Sequence, residues 1–187
     1  MAQLLKCQVC GFTISEKQMK GDVCPACGVP REKLEPFEPK ISDKRRKILD
    51  LHLHPTILHF PQSLSFLIFF FAALNLLFST FLTDVILTSL PLLSFLLPFF
   101  VVLAMLSGMY DGKMRFKSIT TPWLKLKIII GMIFLLCSVL VAVFAFLIIA
   151  LDLALLLVVI FSLGCIITGG INGFIGGNLI CAKMPGS

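Results

Sequence analysis

LHLHPTILHFPQSLSFLIFFFAALNLLFSTFL, residues 51–82, changes from polar to almost wholly apolar within a few residues. From Ile57 to Leu82 it exceeds the ~20 apolar residues that cross a hydrocarbon core ~30 Å thick. Three later runs do the same: Val85 to Met109, Leu124 to Ala150, and Leu153 to Ile180. Four transmembrane helices are expected, and the stretch at 51–82 marks where a different, polar part of the chain ends.

Composition agrees. The chain has 187 residues, 58% of them hydrophobic and 18 of them Phe, whereas soluble domains are ~45–50% apolar. Residues 1–50 hold 10 of the 16 Lys+Arg and 7 of the 10 Asp+Glu, so the ionisable surface is concentrated in a head. The net charge of +6 does not point to nucleic acid. Its basic residues stand beside apolar segments, where they act as topology determinants.

Those residues are Lys44, Arg45, Arg46 and Lys47 before the first helix, Lys113, Arg115, Lys117, Lys125 and Lys127 around the second connection, and Lys183 near the C-terminus. The turns at Thr83-Asp84 and Asp152 carry none. With four spans, the basic regions share one side. The positive-inside rule makes it cytoplasmic. A multi-pass protein of the cytoplasmic membrane is expected, with both termini and the head inside. Tyr110 and Trp123 flank the basic connection, as aromatic residues do at an interface. MAQLLKCQVCGF shows no basic n-region followed by an apolar run, hence no cleavable signal peptide is expected.

Two motifs dominate the head: CQVCG at 7–11 and CPACGVP at 24–30. In a reducing compartment, paired CxxC turns favour metal thiolates over disulfides. Cys7, Cys10, Cys24 and Cys27 supply four sulfurs to one tetrahedral centre, which means zinc or iron. Gly11 and Gly28, each following a pair, let the chain turn so that backbone N–H groups point at sulfur. Residues 5–37, with CQVCGF and then CPACGVPREKLEPF, resemble the short rubredoxin-like domain found at the end of rubrerythrins. That resemblance implies a single iron cycling between ferric and ferrous states, with zinc as the alternative. Phe12 stands where the family usually has Tyr, which keeps an aromatic cover over the site.

The membrane half carries a second resemblance. HPTILHFP at 54–61, LSGMYDG at 106–112 and GFIGGNL at 173–179 resemble a family of four-helix membrane proteins of uncharacterised function that opens with HP, three residues and HFP. Some members have histidines near the third helix and after the final glycines. Here those regions offer Lys125, Lys127 and Lys183, which argues against a haem held by two histidines.

Proline chemistry sets the first helix to begin at Pro55, with His54 as its cap and His59 just over one turn inside. A histidine within a membrane span is a functional candidate. His54, His59, Asp111, Gly173 and Gly177 therefore form a candidate membrane cofactor site for haem b or a quinone ring. The bland alternatives are a cap for His54, a hydrogen bond to a neighbouring helix or to Asp111 for His59, and close helix packing for the stripe Gly169, Gly173 and Gly177. Asn172 and Asn178 are candidates for polar contacts beside that stripe. His52 is expected to be juxtamembrane. A haem would need a second ligand from Met, Cys, Lys or another subunit, so a homo-oligomer is among the arrangements allowed.

The fold class expected is a small rubredoxin-like or zinc-ribbon metal domain followed by an all-α four-helix transmembrane bundle. Residues 1–37 form the metal domain, 38–53 a basic juxtamembrane linker, extended from Pro36 and Pro39 onward and then either a solvated charge run or a short helix on anionic lipid, and 54–187 the membrane domain. The function expected is a membrane-tethered one-electron carrier passing electrons between the iron head and a haem, a quinone or a redox protein partner. A zinc-stabilised binding module on a membrane anchor is the second reading. Nothing resembles a catalytic triad or phosphate loop, so no enzymatic reaction is assigned.

Overall fold

The computed structural model describes residues 3–19, 21–38, 42, 48–78, 83–148, 151 and 153–180. The chain divides into two compact units, one of Met1–Arg46 with Gly176–Ser187 and one of Lys47–Ile175. The basic cluster 44–47, Pro39, Asp152, Cys181 and Lys183 lie outside the described residues.

The head is a three-stranded antiparallel sheet of β1 (Leu4–Cys7), β2 (Thr13–Ser15) and β3 (Leu34–Phe37), in the order β2-β1-β3. Leu5 pairs with Ile14 on one side and with Pro36 on the other. Pro36 thus belongs to an edge strand rather than to the linker. An edge is where a residue with no N–H to donate is tolerated.

Buried residues are few: Leu4, and a cluster of four, Leu5, Cys7, Cys24 and Leu34, packed by Cys10, Ile14, Met19 and Val29. Two of the four are sulfurs of the CxxC pairs. Surface contacts tie the strands and loops together. Arg31 pairs with Glu16 at 2.8 Å, Gln8 donates to Glu35, and the Lys6 ammonium lies 5.5 Å from the centre of the Phe37 ring.

The membrane half consists of α1 (Leu53–Leu77), α2 (Thr83–Phe116), α3 (Pro122–Phe146) and α4 (Ala154–Ile180). All four helices are long and apolar enough to cross a membrane. Short connections make consecutive helices antiparallel; α1 packs on α2 and α2 on α3. The Phe144 and Phe161 rings stack at 5.7 Å between α3 and α4. Gln62 of α1 donates from Nε2 to the Gly169 carbonyl of α4 at 3.1 Å, which closes the bundle.

Each helix buries one serine completely: Ser65, Ser94, Ser138 and Ser162. Small residues let helices approach closely where lipid provides no hydrophobic drive between them. Ser65, Ser138 and Ser162 return their hydroxyl protons to carbonyls of their own helix, at Pro61, Leu135 and Val159. Ile68, Leu90, Leu97, Val101, Phe134, Val141 and Val158 fill the core beside them, while many other large apolar side chains, Phe66, Phe70, Phe95, Phe99 and Ile171 among them, are exposed.

Two boundaries differ from expectation. α2 runs on to Phe116, so Tyr110, Asp111, Lys113 and Arg115 are helical and the basic connection is only residues 117–121. Cations in the last turn favour this by interacting with the helix dipole. Lys117 ends the helix in the left-handed region, at φ 56°.

α1 begins at Leu53, not Pro55, with His52 rather than His54 in the capping position, at φ 48°. Its carbonyl accepts from the Thr56 N–H at 3.2 Å and from the Thr56 hydroxyl at 3.0 Å. Pro55 still falls in the first turn, where no N–H is required.

The sharp turns of the head give a test. Gly28 has φ +75° and open space where a Cβ would be, so Gly28→Ala adds backbone strain and nothing else. The cost is about 1 kcal/mol. Because folding and metal binding are coupled in so small a domain, competition with a chelator should show metal affinity weakened about fivefold.

Candidate metal centre and membrane cavity

Both cysteine pairs are built by one backbone pattern. The Gly11 N–H donates to the Cys7 carbonyl at 2.9 Å, and the Gly28 N–H to the Cys24 carbonyl at 2.8 Å. The Cys7 N–H donates to the Phe12 carbonyl at 2.8 Å, and the Cys24 N–H to the Val29 carbonyl at 2.7 Å. Gly11 and Gly28 have φ of 74° and 75°. The two knuckles are therefore the same device used twice.

They bring all four sulfurs within 4.8 Å of one another. Cys7 Sγ is 3.8 Å from Cys27 Sγ, and Cys10 Sγ is 3.8 Å from Cys24 Sγ. Ligands about 2.3 Å from a tetrahedral centre stand about 3.8 Å apart, while a disulfide needs about 2.05 Å. The spacing is that of metal ligands. It fits zinc and iron alike.

Thiolate formation is uneven within the cluster. Cys7 is lowered to about 7, chiefly because the Cys10 backbone N–H donates to its sulfur. The Val9 N–H and the Cys10 and Cys27 thiols assist, against the opposing effect of burial. Cys27 is raised to about 12. The Val29 N–H favours its thiolate, but loss of water and its contacts with Cys10, Cys24 and Cys7 outweigh that bond. Four adjacent thiols cannot all ionise unaided, and a bound cation supplies the missing charge. Phe12 is exposed and is not part of the buried cluster around the sulfurs, so the aromatic cover expected of it is absent from that cluster.

In the membrane half, a partly open cavity of about 70 Å³ is lined by His54 of α1, Met105 and Gly108 of α2, Lys127 of α3 and Asn172 of α4, within an otherwise apolar wall. Of the five residues expected at a membrane site, His54 alone lines it. His59 is exposed. Asp111 accepts from Arg115 Nε at 3.1 Å, one turn along α2, and this pair replaces the contact expected with His59. Gly173 packs against Gln62, and a Cβ on Gly177 would meet open space.

His54 is 8% exposed. Its ring lies on Gly108, where a Cβ would come within 2.8 Å of Cε1. Nδ1 is 3.2 Å from the Ser107 hydroxyl, which itself donates to the Ala104 carbonyl at 2.9 Å. Nε2 is buried and has no partner among the described residues. Asn172 serves as polar glue: with Nδ2 toward the Lys127 carbonyl and Oδ1 toward the Gly131 N–H, both contacts are 3.2 Å.

Ser107, Gly108, Gln62 and the placement of Lys127 were not singled out from the sequence. Gln62 carried a signal, as the one Gln beyond the head. Comparison of the chain with protein-family models, curated proteins and solved structures finds no match.

The contact between Gly108 and His54 predicts that Gly108→Ala destabilises the bundle by about 1–3 kcal/mol, the usual range for overpacking. Thermal unfolding in detergent should show Tm lowered by several degrees. Gly170→Ala, where a Cβ meets nothing within 4 Å, should leave Tm nearly unchanged.

Proposed function

We propose that the protein is a membrane-tethered one-electron carrier whose rubredoxin-like head holds a single iron. The observation that carries this reading is the tetrahedral spacing of four sulfurs in knuckles whose backbone N–H groups, from Val9, Cys10 and Val29, donate to Cys7 and Cys27. Such donors withdraw charge from thiolates and tune the potential of a bound metal. An iron ion bound there would supply one-electron chemistry between its ferric and ferrous states. The residues do the rest: Cys7 and Cys24 are buried, Leu5 and Leu34 limit water, and the knuckle hydrogen bonds fix the sulfurs in place in both oxidation states.

The four apolar helices support a role at the membrane, where the head exchanges electrons with a membrane-soluble cofactor or a redox protein. The placement of Lys113, Arg115, Lys117, Lys125 and Lys127 around one connection supports a cytoplasmic head with both termini inside. Residues 1–37 serve as the redox domain, 38–53 as the linker and 54–187 as the anchor.

An absorption spectrum of the purified full chain tests the carrier. Visible thiolate-to-iron bands that bleach on reduction, with one iron per chain, are expected. A colourless protein holding one zinc would overturn the reading in favour of a zinc-stabilised binding module. Sidedness is tested separately: a reporter active only in the cytoplasm should work when fused after Ser187 and fail when inserted between α1 and α2. The opposite pattern would reverse the assigned orientation.

A further inference from the structure

The unpartnered nitrogen of His54 is chemically specific. Ser107 has one hydroxyl proton, and it goes to the Ala104 carbonyl. With that proton on the Ala104 carbonyl the hydroxyl accepts from His54, and in the neutral ring Nδ1 then carries the hydrogen while Nε2 presents a lone pair. In this tautomer the orphaned Nε2 lone pair is an acceptor for an O–H or N–H. The same cavity contains Lys127, a donor with no acceptor capacity. The charged residues acting on His54 are Lys127 and Asp111, and the latter's carboxylate is engaged by Arg115.

We propose that this cavity binds the head group of a lipid-soluble quinol, with one hydroxyl donating to His54 Nε2 and another oxygen accepting from Lys127. The surroundings favour that chemistry over the alternatives. Leu58, Val101, Ile128 and Phe134 give an apolar wall suited to a ring. A phosphodiester or an ionised carboxylate would satisfy Lys127 but has no hydrogen for Nε2. A metal ion or haem iron on Nε2 would share the cavity with the ammonium of Lys127, and the lining includes no anionic ligand to offset it.

Size argues in the same direction. A cavity of about 150 Å³ encloses a whole benzene. The partly open ~70 Å³ here is smaller than that, which suits one ring entering through the open side better than a tetrapyrrole. The site deepens the carrier reading by naming its membrane-side ligand, and it is defined by residues remote in sequence from the four cysteines.

The test is binding of an alkyl hydroxyquinoline N-oxide, a quinol-site probe with a hydroxyl and a second oxygen, to the full chain in lipid nanodiscs, read from quenching of the probe's fluorescence. Saturable binding at one site per chain is expected. Loss of one buried hydrogen-bond partner should weaken it about tenfold in His54→Ala and in Lys127→Met, while His59→Ala binds as wild type. Variants enter the comparison only with a cooperative thermal transition. Two variants on different helices keep the test open should either fail to fold.

No saturable binding, or equal binding in both variants, would overturn the site. So would a Soret band in the wild-type spectrum that is lost in His54→Ala, since haem would then own the nitrogen. Probe binding by a protein with zinc in its head would sink the carrier and leave this site standing. An iron-loaded protein that ignores the probe would do the reverse.

Discussion

Inside a bilayer, helices gain nothing by hiding apolar side chains from one another, because lipid is as apolar as they are. The membrane half depends on this constraint, and small residues share its interior with the large ones. Fully buried Ser65, Ser94, Ser138, Ser162 and Ala72 sit among Ile68, Leu90, Leu97, Val101, Val141 and Val158, while many Phe and Leu face outward. The few polar side chains then act with unusual weight, since an unsatisfied group in lipid costs several kcal/mol. Gln62 and Asn172 meet this demand by bonding backbone on neighbouring helices. His54 meets half of it through Ser107 and leaves half open.

The head faces a related shortage in water. A sheet of three short strands cannot bury enough apolar surface to fold by that means alone. Its interior is built around sulfur instead, and two of its four fully buried cluster members are metal-ligand candidates. The knuckle repeated at Cys7–Phe12 and Cys24–Val29 resolves local backbone demands before any metal is considered. The glycines at positive φ allow it. Thus the site is not an addition to the fold of the head. It is the centre of that fold.

How far these features could be read in advance follows from the range of the interactions. The CxxC pairs and the number of spans were legible, because ligand spacing and apolar run length are local properties of the chain. The end of α2 was not. Charged residues at 111–115 read as loop by composition, yet helix continuity and the dipole kept them helical. Pro36 read as a linker residue, because a rule for proline alone cannot tell an edge strand from an extended connection. The histidines were the hardest case. His54 and His59 are five residues apart on an apolar helix, and which one turns inward depends on rotation against α2, a tertiary quantity.

That rotation was encoded in a feature easily taken for something else. Gly108 lies in the stretch LSGMYDG, and the His54 ring occupies the space where its Cβ would be. Ser107 beside it provides the hydroxyl that orients the ring, and the Ala104 carbonyl takes that hydroxyl's proton. A small residue and a serine therefore select His54 over His59, by admitting one side chain and by bonding it. A buried histidine with one nitrogen on a hydroxyl and the other unpartnered among the described residues is where a donor from a bound ligand would complete the bonding.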